Sequence, residues 1–188
     1  MISLSDACDL NLDPDTVHIA LTLSEGNKKV TNGSPKKYPD HSERFDTLTQ
    51  VLCKEGLTGR HYWEVEWSKS SDESIYACVA YKGMERKGSG SPAGFGCNAI
   101  SWAFGKTTYG SSPFRAYYDN GVVWEDKSPR DWSTVGVFLD WPAGTLSFYR
   151  VTNKLHHLYT FRTKFTEPIY SGFWASMNSN SAYLLPFK

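Results

Sequence analysis

Residues 59–67 read Gly59-Arg60-His61-Tyr62-Trp63-Glu64-Val65-Glu66-Trp67, and the fold follows from how this stretch is placed. Its odd positions, His61, Trp63, Val65 and Trp67, alternate with Tyr62, Glu64 and Glu66. That period of two belongs to a strand with one dry face and one wet face. Large aromatics bury on the order of 150–250 Å² each. At about 25 cal/mol per Å², two tryptophans and a valine contribute several kcal/mol before entropy is counted. The strand is therefore expected to lie against the core, and the remaining elements to cover it.

Working outward, Ile75 to Tyr81 is apolar on both parities, as expected of a central strand covered on both faces. Ser101 to Phe104 resumes the strand pattern. Asn120-Gly121 between apolar runs marks one hairpin over residues 117–124. Trp141-Pro142-Ala143-Gly144 turns a second hairpin over residues 134–151. Towards the N-terminus, Ile19, Leu21 and Leu23 predict a strand that returns over residues 28–31 through Gly26-Asn27, and residues 50–53 predict another. Residues 158–165, 169–174 and 182–187 finish the set, and residues 3–8 fit a short helical turn. Residues 82–96 hold five glycines, Pro92 and the Glu85-Arg86-Lys87 group, and read either as a binding loop or as a solvated connection. Many short strands with regular turns predict an all-β fold, a two-layer antiparallel sandwich.

The composition narrows the function classes. At 188 residues the chain suits one domain, and 15% aromatic content with 21% charged residues favours sheet. Lysine plus arginine equals aspartate plus glutamate, 20 each, so no global field draws nucleic acid or anionic membrane. No apolar run has the length of a membrane span, so no membrane insertion is expected. Cys8, Cys53, Cys78 and Cys97 lack any Cys-x-x-Cys spacing and read as buried thiols. Together with a first stretch unlike a secretory leader, they lead to the expectation of a cytoplasmic, reducing setting.

Catalytic and metal motifs find little support. Gly105-Lys106-Thr107 ends like a phosphate loop, but the glycine required five residues earlier is Ile100. His18, His41, His61, His156 and His157 never fall at ligand spacing with cysteine or acid, so no metal and no cofactor are expected. Glu64 and Glu66 share one strand face, where two solvated carboxylates are the simpler reading than a glycosidase pair. No Gly-x-Ser-x-Gly elbow is present. Lys28-Lys29, Lys36-Lys37 and Lys82/Arg86/Lys87 leave an RNA-binding surface as the alternative to a protein-binding one.

Several segments together resemble the PRY-SPRY family. Leu12-Asp13-Pro14-Asp15-Thr16, Leu23-Ser24-Glu25, Tyr38-Pro39-Asp40, Glu43-Arg44-Phe45 and Gln50-Val51-Leu52 resemble its PRY segment. The 59–67 stretch, Arg86-Lys87-Gly88, Ser101-Trp102, residues 135–140 and 143–149, Phe165-Thr166-Glu167-Pro168 and Gly172-Phe173-Trp174 resemble its SPRY segment, in family order. The resemblance implies a lead-in over residues 1–11, a PRY segment over 12–58 and a SPRY segment over 59–188. It implies a bent, jelly-roll-like sandwich with no catalysis, monomeric by itself. Its relatives include tripartite-motif ubiquitin ligases, where it reads substrates or pathogens in innate immunity and a coiled coil dimerises the parent. Butyrophilins, fish NOD-like receptors and stonefish-type toxins also carry it.

The resemblance further implies a protein or peptide ligand held by variable loops at one end of the sandwich. These correspond to residues 81–96, 104–109, 113–124 and 177–181. The contact residues expected there are Glu85, Arg86, Lys87, Phe104, Tyr109, Phe114, Tyr117, Tyr118, Trp124, Met177, Asn178 and Asn180, with Tyr76 on the strand leading in.

Overall fold

A computed structural model describes residues 1–68, 74–108, 111–129, 131–177 and 180–186. Among these lie thirteen strands: β1 (Leu21–Ser24), β2 (Lys29–Asn32), β3 (Gln50–Leu52), β4 (Arg60–Trp67), β5 (Ile75–Tyr81), β6 (Ser101–Lys106), β7 (Phe114–Tyr118), β8 (Gly121–Asp126), β9 (Thr134–Asp140), β10 (Thr145–Val151), β11 (Leu155–Arg162), β12 (Ile169–Ala175) and β13 (Ser181–Leu184). They form a seven-stranded sheet in the order β1-β2-β13-β4-β9-β10-β11 and a six-stranded sheet in the order β3-β12-β5-β6-β7-β8. Every strand pair is antiparallel.

The sandwich closes over the face that the 59–67 stretch predicts as dry. Trp63, Val65 and Trp67 are buried with Val135, Val137, Leu139, Leu146 and Phe148 of the same sheet. Opposite them stand Ile75, Ala77, Val79, Trp102, Phe104, Phe114 and Phe173 of the six-stranded sheet. Phe104 of β6 and Phe148 of β10 stack across the two layers with centroids 4.7 Å apart. His61 ends the row half-buried, its Nε2 2.6 Å from the Thr58 carbonyl oxygen, which accounts for its polarity at the rim.

Three local expectations are corrected. Ile19 lies in a turn, 37% exposed, because β1 begins only at Leu21. The hairpin marked by Asn120-Gly121 turns on Asp119 (φ 49°) and Asn120 (φ 63°), while Gly121 already pairs with Tyr118. Asp and Asn tolerate this left-handed pair, which matches the twist of the flanking strands. Residues 82–96 are not simply a solvated connection, although Lys82, Gly83, Glu85 and residues 88–92 are exposed. They fold back over the outer face of the six-stranded sheet, burying Arg86 and Ala93 and adding Met84 and Phe95 to a second cluster with Phe45, Leu52, Tyr76 and Cys78.

Candidate functional site

The outer face of the six-stranded sheet carries a transverse row fixed by strand register: Gln50, Trp174, Tyr76, Gly105, Arg115 and Glu125, one residue from each strand in turn. At about 4.8 Å per strand, the span from Trp174 to Glu125 is roughly 19 Å. Gln50 is buried because its amide holds the overlying loop, donating to the Ala93 carbonyl (2.7 Å) and accepting from the Phe95 N–H (2.9 Å). Cover therefore stops beside Trp174.

Beyond Gln50 the row is aromatic and partly open, with Tyr76 and Gly105 themselves buried. Tyr76 packs edge-on against Tyr117 at 5.5 Å and tilted against Trp174 at 6.0 Å. Trp174 and Tyr117 are half-buried, as is Arg115. Arg115 Nε lies 2.8 Å from a Glu125 carboxylate oxygen. That N–H is not aligned for a hydrogen bond, so charge holds the pair. The Tyr117 hydroxyl, and then Glu125, hold the Arg115 guanidinium firmly in its charged form. Burial pushes the Tyr76 phenol up, keeping it a neutral donor.

Gly105 makes the platform possible. A Cβ there would sit 2.1 Å from the Ile75 carbonyl oxygen and 2.7 Å from Tyr76 Cα, with the Tyr76 ring at 2.8 Å. Gly105→Ala is accordingly expected to cost about 2–3 kcal/mol through overpacking. The change also displaces Tyr76, and urea unfolding with near-ultraviolet circular dichroism reads both effects.

The residues expected at the site separate onto different parts of the fold. Tyr76 stands in the outer row and Tyr117 beside it on the same face, two residues along β7 from Arg115, with Tyr76 largely covered at 9% exposure. Phe104 and Phe114 point inward and are fully enclosed, so they are core residues. Trp124 is also on the inner side, half-buried between Phe104 (5.6 Å) and Tyr159 (5.9 Å). Tyr118 stacks on Trp102 at 5.6 Å, its hydroxyl donating to the Ala99 carbonyl. Arg86 is buried and donates to the carbonyls of Met84, Glu43 and Lys82. The Lys87 ammonium donates to the carbonyls of His41 and Arg44. Asn180 is enclosed, bonded to Ser74 O and Ser68 Oγ, and therefore shapes the turn before β13. Glu85 is exposed and lines a shallow hollow with Asp119 at the far end of the sheet. Met177 is 57% exposed. Tyr109 and Asn178 lie outside the described residues.

The four loops do not share one end either. Ala175, Ile75, Lys106, Phe114 and Asp126 are register neighbours, so the chain leaves the sheet at one end both after Lys106 and after Ala175. Residues 82–96 leave it at the opposite end, after Tyr81. Sequence reading missed Trp174, Arg115 and Glu125. In β7, 115 and 117 take the side opposite the buried Phe114 and Ala116, a placement set by the pairing with β6.

Among the described residues no three His, Cys, Asp or Glu side chains converge to hold a metal. Burial pushes the Cys8 thiol up to about 12 and raises Cys53, Cys78 and Cys97 as well, so none is poised as a thiolate nucleophile.

Residues 10–57 match PRY, the SPRY-associated domain, and residues 60–186 match the SPRY domain. The chain belongs to the PRY-SPRY family. Stonustoxin subunit beta of Synanceia horrida is 46% identical over 167 residues, covering 88% of this chain and 23% of the toxin subunit. Tripartite motif-containing protein 16 of Mus musculus is 35% identical over 182 residues, covering 95% of this chain and 31% of that protein. This PRY-SPRY chain thus spans less than a third of either relative's length. Its sandwich superposes on the stonustoxin structure with a TM-score of 0.85 at 36% identity, covering 96% of this chain and 29% of that one. The TRIM65 PSpry domain superposes with 0.84 at 25% identity, covering 97% and 92%. SPRY domains are generally non-catalytic and bind protein ligands.

Proposed function

We propose that this chain recognises a polypeptide partner across the row of Trp174, Tyr76 and Arg115 and the adjoining Tyr117, as the substrate- or pathogen-reading module of a tripartite-motif ubiquitin ligase in innate immunity. The supporting observation is the partly open aromatic row itself, bordered by charge at Arg115–Glu125. Trp, Tyr and Arg are the side chains that dominate binding energy when a partner desolvates them. The 46% identity to a stonustoxin subunit supports a second setting, the same module within a toxin-type protein. The recognition step is common to both.

The test is affinity capture from a cell extract by the chain and by a Trp174→Ala/Tyr117→Ala variant. Each truncation is expected to cost about 2 kcal/mol of binding, roughly 30-fold in Kd, with the unfolding midpoint held. Raising salt from about 50 to 200 mM is expected to change capture little, whereas RNA held by the lysine groups would be lost steeply. Undiminished capture by the double variant, or captured material that proves to be RNA, would overturn the reading.

A further inference from the structure

The opposite face of the sandwich carries a groove outside the recognition row. It holds about 600 Å³ above β4 of the seven-stranded sheet. Ile2 and Leu4 of the N-terminal segment and Leu185 and Pro186 of the C-terminal one supply its apolar lining, both segments along one edge of β4, with Glu64 and Glu66 in the lining along the floor strand. Both segments are fixed by backbone bonds to that strand. The Cys8 N–H donates to the Tyr62 carbonyl (3.1 Å) and the Leu185 N–H to the Glu64 carbonyl (3.0 Å). The N-terminal segment is tied down further where Asp6 pairs with Arg60 at 3.3 Å.

The floor is built around one carboxylate. The Tyr62 hydroxyl donates to Glu64 Oε1 at 2.7 Å, orienting it and leaving the second oxygen free to accept. Tyr62 reaches this position because residue 136 is glycine; a Cβ there would stand 2.5 Å from the hydroxyl oxygen. Among the described residues, no lysine, arginine or histidine lines the groove, and neither Glu64 nor Glu66 has an ion-pair partner. The cation on the same strand, Arg60, is already committed to Asp6 and Asp140 and lies over the Phe138 ring.

From this charge complementarity we infer that the groove binds an extended polypeptide segment of a partner protein that carries basic residues at alternate positions. Glu64 and Glu66 sit two apart on one strand face, about 7 Å, and the i and i+2 side chains of an extended peptide repeat at the same interval. Basic groups meet the two carboxylates while their aliphatic stems lie against Ile2, Leu4, Leu185 and Pro186.

A fluorescein-labelled Leu-Arg-Leu-Arg-Leu peptide, titrated into the whole chain by fluorescence anisotropy, tests this. Binding is expected, weakened about tenfold by Glu64→Gln/Glu66→Gln, as two partly exposed ion pairs would give. The matched Leu-Glu-Leu-Glu-Leu peptide is expected not to bind. The single Glu66→Gln variant, altered only at an exposed position, is expected to lose part of the affinity with its unfolding midpoint unchanged. Absence of binding by the arginine peptide, equal binding by both peptides, or equal affinity in the double variant would overturn the inference. Because these variants leave Trp174 and Tyr117 untouched, partner capture through the aromatic row is read separately.

Discussion

Replacing Arg86 with alanine is expected to lower the unfolding free energy by about 3–4 kcal/mol, the sum of several orphaned buried carbonyls and a lost cation–π contact. The guanidinium donates to Met84 O at 3.0 Å, Glu43 O at 3.1 Å and Lys82 O at 2.8 Å. It also pairs with the Glu43 carboxylate at 3.2 Å and lies 5.2 Å from the Phe45 ring centroid. Burial works against its charge, so these partners must offset the desolvation. Without it, residues 82–96 lose their anchor to the PRY segment, and the cover over Phe45 and Phe95 loosens. Arg86→Lys should recover less than half of the loss, since an ammonium cannot span the fork of acceptors that a guanidinium fills. Glu43→Ala, whose side chain is 42% exposed, should cost under about 1 kcal/mol. Denaturant titration of the three variants checks the ranking, and an Arg86→Ala protein within about 1 kcal/mol of the parent would refute the anchoring role.

This residue also shows where the sequence was legible and where it was not. Trp63, Val65 and Trp67 announced their shared face because a strand's parity is readable when one parity is apolar and the other charged. Apolar alternation also delivered the β9–β10 hairpin, and an apolar run on both parities delivered β5, with their residue bounds. Alternation failed in β7, where Phe114, Tyr117 and Tyr118 put aromatics on both parities. Only the pairing with β6 shows that Tyr117 and Arg115 face outward while Phe114 faces the core. The 82–96 stretch misled for another reason. Glycine and charge mark a solvated loop locally, yet Arg86 buries its charge by collecting carbonyls from sequence positions up to 43 residues away. Long-range satisfaction of that kind leaves no local trace. Chain order likewise could not say from which end of a sheet each connection leaves, so loops assigned to one end proved to lie at two.

Alkaline pH is expected to destabilise the chain steeply from about pH 9 upward, chiefly through two buried thiols that the binding surfaces do not use. Cys53 and Cys78 are each only 2% exposed, and burial raises both thiols above their ordinary value of 9.0. Cys8 and Cys97 shift the same way, as do the Tyr62 and Tyr76 phenols. Below pH 9 the folded and unfolded chains hold the same thiol protons, and this contribution to stability is fully present. Above it the unfolded chain sheds protons that the folded chain keeps, so unfolding gains. Each fully retained proton is worth about 1.4 kcal/mol per pH unit, so Cys53 and Cys78 alone remove roughly 3 kcal/mol by about pH 10. Urea titrations under reducing conditions between about pH 7.5 and 10.5 measure the slope. In a Cys53→Ala/Cys78→Ala variant the core loses about 1 kcal/mol per site at neutral pH, but the slope between pH 9 and 10 should fall by most of that amount. A stability that stays level to pH 10.5, or an unchanged slope in the variant, would show that the two thiols ionise inside the fold as readily as outside it.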